Sequence, residues 1–352
     1  MYKLIKRLNK HYVKFVESNT MYLINNVVDK GKKIPYLIQM DADLNELFRL
    51  STGKYPRLSF HEDVFFVGSG ATKKFSIYER HTNKKIISYD EELIIGGGFP
   101  YKSSKEKEYY FVKKNKGIAF SRDDWSKREF QLEYSIMHRV SHPEYNLFTN
   151  LRKSILYAYN SGMTQLVWQK DFSKIAEYLD VLTDEPMRGE VYDVQLYKED
   201  KIIVTTLFKD AFCLDVATGK ELWRTWTFGG RIEIVGNIGY VCTGASLFKI
   251  NLDTGEAIMN TLYPDNSFPD IEYNNRTYSA TGGIVYHEGW LWHTVYDSGQ
   301  AFIIAINPHN GNYEWVHHVE TNGEIIHDVD FLKDKMFLRD SGGVLHAYEK
   351  EK

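Results

Sequence analysis

Two carboxylates occupy matching places in this sequence. The segments Val-Tyr-Asp-Val-Gln-Leu and Ile-His-Asp-Val-Asp-Phe align so that Tyr192 matches His327 and Asp193 matches Asp328. If both segments begin strands around a common channel, the two carboxylates face each other and can hold a cation or a basic ligand. The alternative is structural, because an Asp at the start of a strand also bonds backbone amides. Both interpretations stay open at the level of sequence.

A second candidate surface is the segment 263–283, which is rich in Pro, Asp, Asn and Tyr and has no strand pattern of its own. It carries Asp270, Tyr273, Arg276 and Tyr278. Exposed aromatic side chains mixed with acids and an Arg are typical of a protein-binding surface. The alternative is a disordered excursion between two regular units.

Sequence patterns for metal binding and for nucleophilic catalysis are missing. The 12 His residues are scattered, and neither a His-Glu-x-x-His helix nor a Cys-x-x-Cys pair occurs, so calcium or zinc binding has no support. No Gly-x-Ser-x-Gly elbow, phosphate-binding loop or dinucleotide fingerprint is present either. We therefore expect no cofactor.

Composition narrows the class of partner and the compartment. The net charge of −3 over 352 residues gives no global field that would attract nucleic acid. Cys213 and Cys242 each fall inside a predicted strand, and we expect buried free thiols in a reducing compartment. The sequence shows no signal peptide and no apolar run of about 20 residues that could span a membrane. These features predict a cytoplasmic protein without a transmembrane segment.

The elements that must position the candidate residues follow a repeat. Its clearest copy is 211–223, which predicts a strand, a tight turn on Thr-Gly and a second strand that begins at Glu221. Related copies occur at 248–256 and 304–315, and weaker ones at 75–84 and 156–168.

Short strands with turns between them, repeating every 40–45 residues or so, predict an all-β fold, a β-propeller with four strands in each blade. The eight units run over 11–50, 57–89, 93–134, 136–171, 190–228, 230–262, 284–319 and 324–348. Seven blades is the alternative, since the first and fourth units are the least regular. We expect a single domain over 1–352, with a short helical insertion near 171–189 and a loop insertion at 263–283.

The last unit has only three predicted strands, and the strand-like segment Tyr2–Leu8 could supply the fourth and close the ring. The alternative places residues 1–16 on an anionic membrane surface as a basic amphipathic helix.

The pattern Leu-x-Asp-x-x-Thr-Gly-Lys/Glu-x-x-Trp, best matched by Leu214–Trp223, resembles the blade repeat of the pyrroloquinoline-quinone-like propellers. This resemblance implies a propeller fold with structural roles for Trp168, Trp223 and Trp315. The quinone-dependent dehydrogenases of that superfamily carry a vicinal disulfide, and no Cys-Cys pair exists here. The resemblance therefore points to the non-quinoprotein branch and argues against a bound quinone.

These observations favour a non-catalytic interaction module that binds a protein partner on its loop face. One concrete form is a bacterial cytoplasmic inhibitor or immunity-type protein. Two alternatives stay open: an enzyme that acts on a glycan or metabolite through the channel carboxylates, and a sensor of a small ligand.

Overall fold

The computed structural model is built of β-strands, and no α-helix occurs in the residues that it describes. These are residues 2–9, 11–17, 20–29, 32–52, 56–61, 63–69, 74–90, 101–102, 107–113, 115–180, 183–227, 229–243, 246–258, 267–280 and 282–351.

The strands are short and follow one another along the whole chain. The first seventeen are β1 (Tyr2–Asn9), β2 (His11–Glu17), β3 (Thr20–Asp29), β4 (Lys32–Asp41), β5 (Glu46–Ser51), β6 (Pro56–Phe60), β7 (Val64–Ser69), β8 (Lys74–Glu79), β9 (Lys85–Asp90), β10 (Tyr101–Lys102), β11 (Glu108–Lys113), β12 (Lys116–Ser121), β13 (Lys127–Gln131), β14 (Ile136–Ser141), β15 (Tyr145–Asn150), β16 (Ile155–Asn160) and β17 (Leu166–Asp171). The others are β18 (Tyr178–Leu179), β19 (Pro186–Met187), β20 (Val191–Tyr197), β21 (Lys201–Thr206), β22 (Asp210–Asp215), β23 (Glu221–Trp226), β24 (Arg231–Val235), β25 (Ile238–Thr243), β26 (Ser246–Asn251), β27 (Ile271–Tyr273), β28 (Arg276–Tyr278), β29 (Ile284–His287), β30 (Trp290–Asp297), β31 (Gln300–Ile306), β32 (Tyr313–Val319), β33 (Ile326–Leu332), β34 (Lys335–Asp340) and β35 (Val344–Lys350).

Antiparallel pairing gathers these strands into the eight blades of a β-propeller, as predicted. Blades 1 to 4 are β2–β5, β6–β9, β10–β13 and β14–β17, and blades 5 to 8 are β20–β23, β24–β26, β29–β32 and β33–β35 with β1. Seven blades have four strands each, and blade 6 shows three within the described residues. The prediction of eight blades is confirmed over the seven-blade alternative.

The chain divides into two compact units by its internal contacts. Unit 1 comprises Met1–Glu91, Gly244–Ser246 and Asn260–Lys352, and unit 2 comprises Glu92–Thr243 and Leu247–Met259. Each unit is described by itself below, and the single domain over 1–352 stays a prediction.

Strand β1 completes blade 8 in unit 1. It pairs antiparallel with β35 from Tyr2 opposite Lys350 to Asn9 opposite Val344. Tyr2 is buried, and its ring meets Trp292 edge-on at a centroid distance of 5.4 Å. The predicted closing strand is therefore confirmed, and the surface-helix interpretation is wrong for residues 2–9 and 11–17, which form strands β1 and β2.

The predicted Thr-Gly turn has the expected chemistry. The carboxylate of Asp215 accepts hydrogen bonds from the backbone N–H of Thr218 at 2.8 Å and from its hydroxyl at 2.6 Å. Gly219 has a φ of 68°, the left-handed region in which glycine carries no steric penalty. The turn fixes the register of β22 against β23, and with it the residues that each strand buries.

The Trp residues of the repeat join one blade to the next. The indole N–H of Trp168 donates to the Val216 carbonyl at 2.8 Å, and that of Trp223 donates to the Leu252 carbonyl at 2.9 Å. A Cβ on Gly255 would lie 2.6 Å from the Trp223 ring, so the turn glycine also makes room for the indole. These contacts support the structural role that the resemblance implies.

The two predicted insertions are both β-hairpins. Residues 173–176 form a turn, and β18 pairs with β19, so the predicted helix near 171–189 is wrong. In the other insertion, β27 pairs with β28 through Asn274 and Asn275, which both have positive φ and form a hairpin turn. The expectation that this insertion lacks strands is therefore also wrong. The start of the third predicted unit, at 93–100, lies outside the described residues.

Candidate functional site

Connections between antiparallel strands alternate between the two ends of a sheet. In blade 5, the segment that leads into β20 and the loop between β21 and β22 therefore lie at one end, which we call the loop end. In blade 4, the start of β14 and the loop between β15 and β16 lie at the corresponding end.

The segment 172–189 leads into β20 and is anchored before its hairpin begins. Phe172 and Ala176 are buried in the hydrophobic core shared by blades 4 and 5. The ring of Phe172 meets that of Phe212 edge-on at 5.2 Å. A Cβ on Gly189 would lie 2.2 Å from the Phe172 carbonyl oxygen, so this close return of the chain requires glycine.

Two cations of blade 5 hold the backbone of the same segment. Arg224 donates to the Ile175 carbonyl at 2.7 Å, and Lys209 donates to the Glu177 carbonyl. Arg224 also pairs with the buried carboxylate of Asp210 at 2.6 Å, which fixes the guanidinium. The segment is therefore attached through its backbone, and several of its apolar side chains are left outside.

Those side chains form an exposed apolar surface with two residues of blade 5. We call it the Phe208 surface, and it consists of Ile175, Leu179, Met187, Phe208 and Trp226. Leu179 is 62 % exposed, and Phe208 and Trp226 are each 51 % exposed. Monomeric proteins rarely expose a contiguous group of large apolar side chains without a use for it.

One ring contact and two backbone pairings link members of the Phe208 surface to the neighbouring residues Tyr178 and Asp210. The Tyr178 ring meets Phe208 edge-on at 5.4 Å, and Tyr178 pairs with Met187 across the hairpin. Trp226 pairs with Asp210, two residues after Phe208. Phe208 has a φ of 56°, an uncommon backbone conformation for a bulky residue, so the turn presents the ring at some local cost.

A second group of residues surrounds the backbone of Val191 at the loop end of blade 4. We call it the Val191 surface, and it consists of Met137, Arg139, Leu151, Arg152, Lys153 and Tyr192. Arg139 donates to the Thr149 hydroxyl at 3.0 Å and to the Val191 carbonyl at 3.4 Å. The Val191 N–H donates to the Lys153 carbonyl at 2.7 Å. Burial lowers the pKa of the Arg139 guanidinium, and the nearby Asp193 carboxylate partly offsets that effect.

The predicted pair Tyr192 and Asp193 lies beside this surface, with two different roles. A bulge between Val191 and Asp193 leaves Tyr192 outside the strand register, and its side chain is exposed. The Asp193 carboxylate accepts from the Val194 N–H at 2.9 Å and from the Gln195 amide at 3.0 Å. The structural alternative for Asp193 is therefore supported by its contacts.

The matching pair His327 and Asp328 lies in blade 8 of unit 1. A bulge between Ile326 and Asp328 leaves His327 outside the strand register, as Tyr192 is in blade 5. The His327 side chain is exposed. The backbone of Asp328 pairs with Arg339, and its side chain lies outside the described part of the structure. The register thus supports the alignment of the two strand starts. A ligand shared by the two carboxylates stays a prediction.

The insertion residues Asp270, Tyr273, Arg276 and Tyr278 do not share one exposed surface. Tyr278 is only 6 % exposed and packs on Phe302, so the expectation of an exposed aromatic is wrong there. Tyr273 is half-buried, and its ring stacks on His318 at 4.8 Å, because the hairpin folds back onto blade 7. Asp270 and Arg276 are exposed.

Metal and thiol chemistry find no support in the described residues. They contain no group of three or more His, Cys, Asp or Glu side chains that could hold a metal ion. Cys213 and Cys242 are buried free thiols, as expected. Burial raises the pKa of Cys213 to about 11 and that of Cys242 to about 12, so both are weak nucleophiles at neutral pH.

Sequence reasoning missed the Phe208 surface and Arg139. One signal was present for Phe208, which stands in a tight loop between two apolar strands where a polar residue is usual. No signal in the sequence indicated Arg139, because its place in the Val191 surface depends on a hydrogen bond to the Val191 carbonyl, 52 residues away along the chain.

Comparison with known proteins identifies the fold only. No family profile matches the sequence, and no curated protein matches it either. BamB from Moraxella catarrhalis is a β-propeller with a TM-score of 0.62 and 8% identity, over 99% of this chain and 100% of that one. The computationally designed Ika8 protein has a TM-score of 0.59 and 9% identity, over 97% of this chain and 96% of that one. No helix long and apolar enough to cross a membrane occurs in the described part of the chain.

Proposed function

We propose that this protein is a non-catalytic interaction module, of the pyrroloquinoline-quinone-like propeller type without quinone, that binds a protein partner at the loop end of blades 4 and 5. The observation that carries the proposal is the Phe208 surface, whose backbone is anchored while its apolar side chains face solvent. The likeness to BamB concerns the fold alone, so the proposal rests on this surface.

The composition of the surface fits a protein partner. Aromatic and Met side chains are enriched in the centres of protein interfaces, where they lose contact with water on binding. Phe208, Trp226 and Met187 belong to these types. A backbone that is already fixed by Arg224 and Gly189 loses little further conformational entropy on association.

Site-specific photo-crosslinking tests the proposal. A photoreactive phenylalanine analogue is placed at Phe208 or Leu179, and in matched controls at Ile86, which is 40 % exposed on the outer strand of blade 2. We expect a covalent adduct with one protein species from the first two positions and none from Ile86. Phe208→Glu combined with the analogue at Leu179 should abolish the adduct. Equal adducts from Ile86, or none from either surface position, would overturn the proposal.

The finer form of the proposal is a bacterial cytoplasmic inhibitor or immunity-type protein. It requires that the partner has an activity and that this activity falls when the complex forms. Once the crosslink has identified the partner, the partner is purified by itself and its activity is measured while this protein is titrated in. The Phe208→Glu variant serves as the control. An activity that is unchanged at saturation contradicts inhibition and leaves the binding proposal intact.

We also propose that the binding needs no metal and no other cofactor. Elemental analysis of the purified protein tests this, since a stoichiometric calcium or zinc content would favour the alternative of an enzyme that acts through channel carboxylates.

A further inference from the structure

Three cations at the loop end of blade 4 form no ion pair with any carboxylate in the part of the chain that the structure describes. Within the described residues, no carboxylate oxygen lies within 4.0 Å of the charged nitrogens of Arg139, Arg152 or Lys153. Arg139 is half-buried between β14 and β20, and the Asp193 carboxylate, which forms no ion pair with it, offsets only part of the cost of removing the guanidinium from water. Arg152 and Lys153 are exposed.

The loop that carries two of these cations is fixed by its own hydrogen bonds. The Asn150 amide oxygen accepts from the N–H of Ser154 at 2.8 Å and of Ile155 at 3.3 Å. The Lys153 N–H donates to the Asn150 carbonyl at 2.9 Å, and the Lys153 carbonyl accepts from Val191. The cations are therefore attached to a preorganised backbone, which reduces the entropy that binding costs.

Apolar side chains stand next to the cations. Met137 lies two residues before Arg139, Leu151 immediately precedes Arg152, and Tyr192 immediately follows Val191. All three apolar side chains are exposed. The Val191 surface therefore combines positive charge with large apolar groups.

We infer that the Val191 surface binds an acidic segment of a protein partner in which Asp or Glu alternates with large apolar residues. This inference rests on the proposed function and names the chemistry that the partner presents. The planar guanidinium of Arg139 can donate two parallel hydrogen bonds to one carboxylate, and its half-buried position strengthens such a pair. Met137, Leu151 and Tyr192 contact the apolar side chains that flank the carboxylates.

The surroundings favour an acidic protein segment over a nucleic acid. The adjacent segment 172–189 exposes three acids, Glu177, Asp184 and Glu185, and two cations, Lys174 and Arg188, so it adds no net positive charge that would attract a continuous phosphate backbone. The whole chain carries a net charge of −3. A partner with a few carboxylates at one place satisfies the three cations without meeting those acids.

Fluorescence anisotropy with defined probes tests the inference. The probes are a labelled peptide of Asp and Glu interspersed with Leu and Phe, its counterpart with Lys in place of every acid, and a labelled DNA oligonucleotide. We expect the acidic peptide to bind at least about tenfold more tightly than the Lys peptide, with weaker binding at higher salt. DNA that binds more tightly than the acidic peptide would overturn the inference in favour of a nucleic acid.

Variants locate the binding. Arg139→Gln should weaken the acidic peptide about tenfold or more, the loss expected of a charge-assisted hydrogen bond. Arg152→Glu tests the same surface at an exposed position and leaves the contacts with Thr149 and Val191 intact. It should also weaken binding of the acidic peptide, and it replaces Arg139→Gln if that variant unfolds. Lys220→Gln removes an exposed cation from the turn at the other end of blade 5 and should leave binding unchanged.

No binding of the acidic peptide, or equal losses from Arg152→Glu and Lys220→Gln, would overturn the inference. The proposed function fails separately, through the crosslinks at Phe208 and Leu179. If the crosslinks persist while the acidic peptide does not bind, the proposal of a protein partner stands. Only the inference that this partner presents an acidic segment is then rejected.

Discussion

Two hairpins of similar size lead into blades 5 and 7, and they differ in whether their large apolar side chains are buried or exposed. In unit 1, the segment 267–280 turns its aromatic side chains inward, with Phe268 and Tyr278 buried, and exposes Glu272 and Arg276. In unit 2, the segment 172–189 exposes its apolar hairpin residues.

The difference comes from where each segment is anchored. In 172–189 the buried groups, Phe172 and Ala176, precede the hairpin, and Leu179 and Met187 of the hairpin stay exposed. In 267–280 the hairpin is itself the anchor, because Tyr273 stacks on His318 and Tyr278 packs on Phe302. Composition therefore does not decide which insertion exposes its apolar side chains; the position of the anchor does.

Phe172→Ala tests the anchor of 172–189 and should have the largest effect. Loss of a fully buried aromatic ring should lower the free energy of unfolding by about 3–5 kcal/mol. Urea denaturation followed by fluorescence measures it. A loss under about 1 kcal/mol would mean that the segment is not held by this ring.

Acidification should weaken the buried contacts of segment 267–280 more than those of segment 172–189. The Phe268 ring contacts that of His293, with the centroids 4.0 Å apart and the planes tilted by 33°, whereas Phe172 meets another phenylalanine. His293 is fully buried, its ring nitrogens have no hydrogen-bond partner in the described structure, and burial lowers its pKa from 6.5 to about 3. Below pH 6.5 the unfolded chain binds a proton that the folded chain does not, so stability falls as pH falls, until both forms are protonated below about pH 3.

This effect predicts a loss of roughly 3 kcal/mol at pH 4.5 relative to neutral pH from His293 alone. Urea unfolding of the wild type and of His293→Leu at both pH values measures it, and the variant should lose less stability on acidification. Parallel losses in the two proteins would show that His293 is protonated without unfolding.

Tyr278→Ala tests the anchor of the other hairpin. Removal of this nearly buried ring should cost about 2–3 kcal/mol, and Arg276→Ala on the same hairpin should change stability by less than about 0.5 kcal/mol. Thermal melts of both variants provide the comparison. Equal effects would mean that Tyr278 is not the anchor that its burial indicates.

Phe208→Ala should have the smallest effect on folding and the largest on partner binding. Because the ring is about half exposed, we expect a change within about 0.5 kcal/mol in stability. The crosslink from Leu179 should nevertheless be lost or strongly reduced. Loss of the crosslink together with a large drop in melting temperature would mean that Phe208 serves folding, as Phe172 does.

Local patterns in the sequence were enough to predict the blades. Alternation and turn chemistry predicted the strands, and the Asp215-to-Gly219 turn depends on side chains that are neighbours in sequence. The closing strand at Tyr2–Leu8 followed from counting the strands of the last unit. In each case the information lies within a few residues or in a simple count.

The candidate surface could not be predicted, because it depends on distant contacts. Ile175, Tyr178 and Leu179 have helical spacing, yet the close approach of Gly189 to Phe172 turns the segment back as a hairpin. Arg224 fixes the Ile175 carbonyl from 49 residues away. The exposure of Leu179 and Met187 follows from these contacts and from no local pattern.

The pairing of β1 with β35 also sets an order of events during synthesis. Strand β1 has no partner strand until Val344–Lys350 has been made. At a synthesis rate of about 5–20 residues per second, β1 waits roughly 20–70 seconds with an unpaired edge. Through that interval the apolar side chains of Tyr2 and Leu4 lack the core that later covers them. An unpaired strand edge with uncovered apolar side chains is a site for aggregation, so blade 8 is the blade whose completion depends most on the end of synthesis.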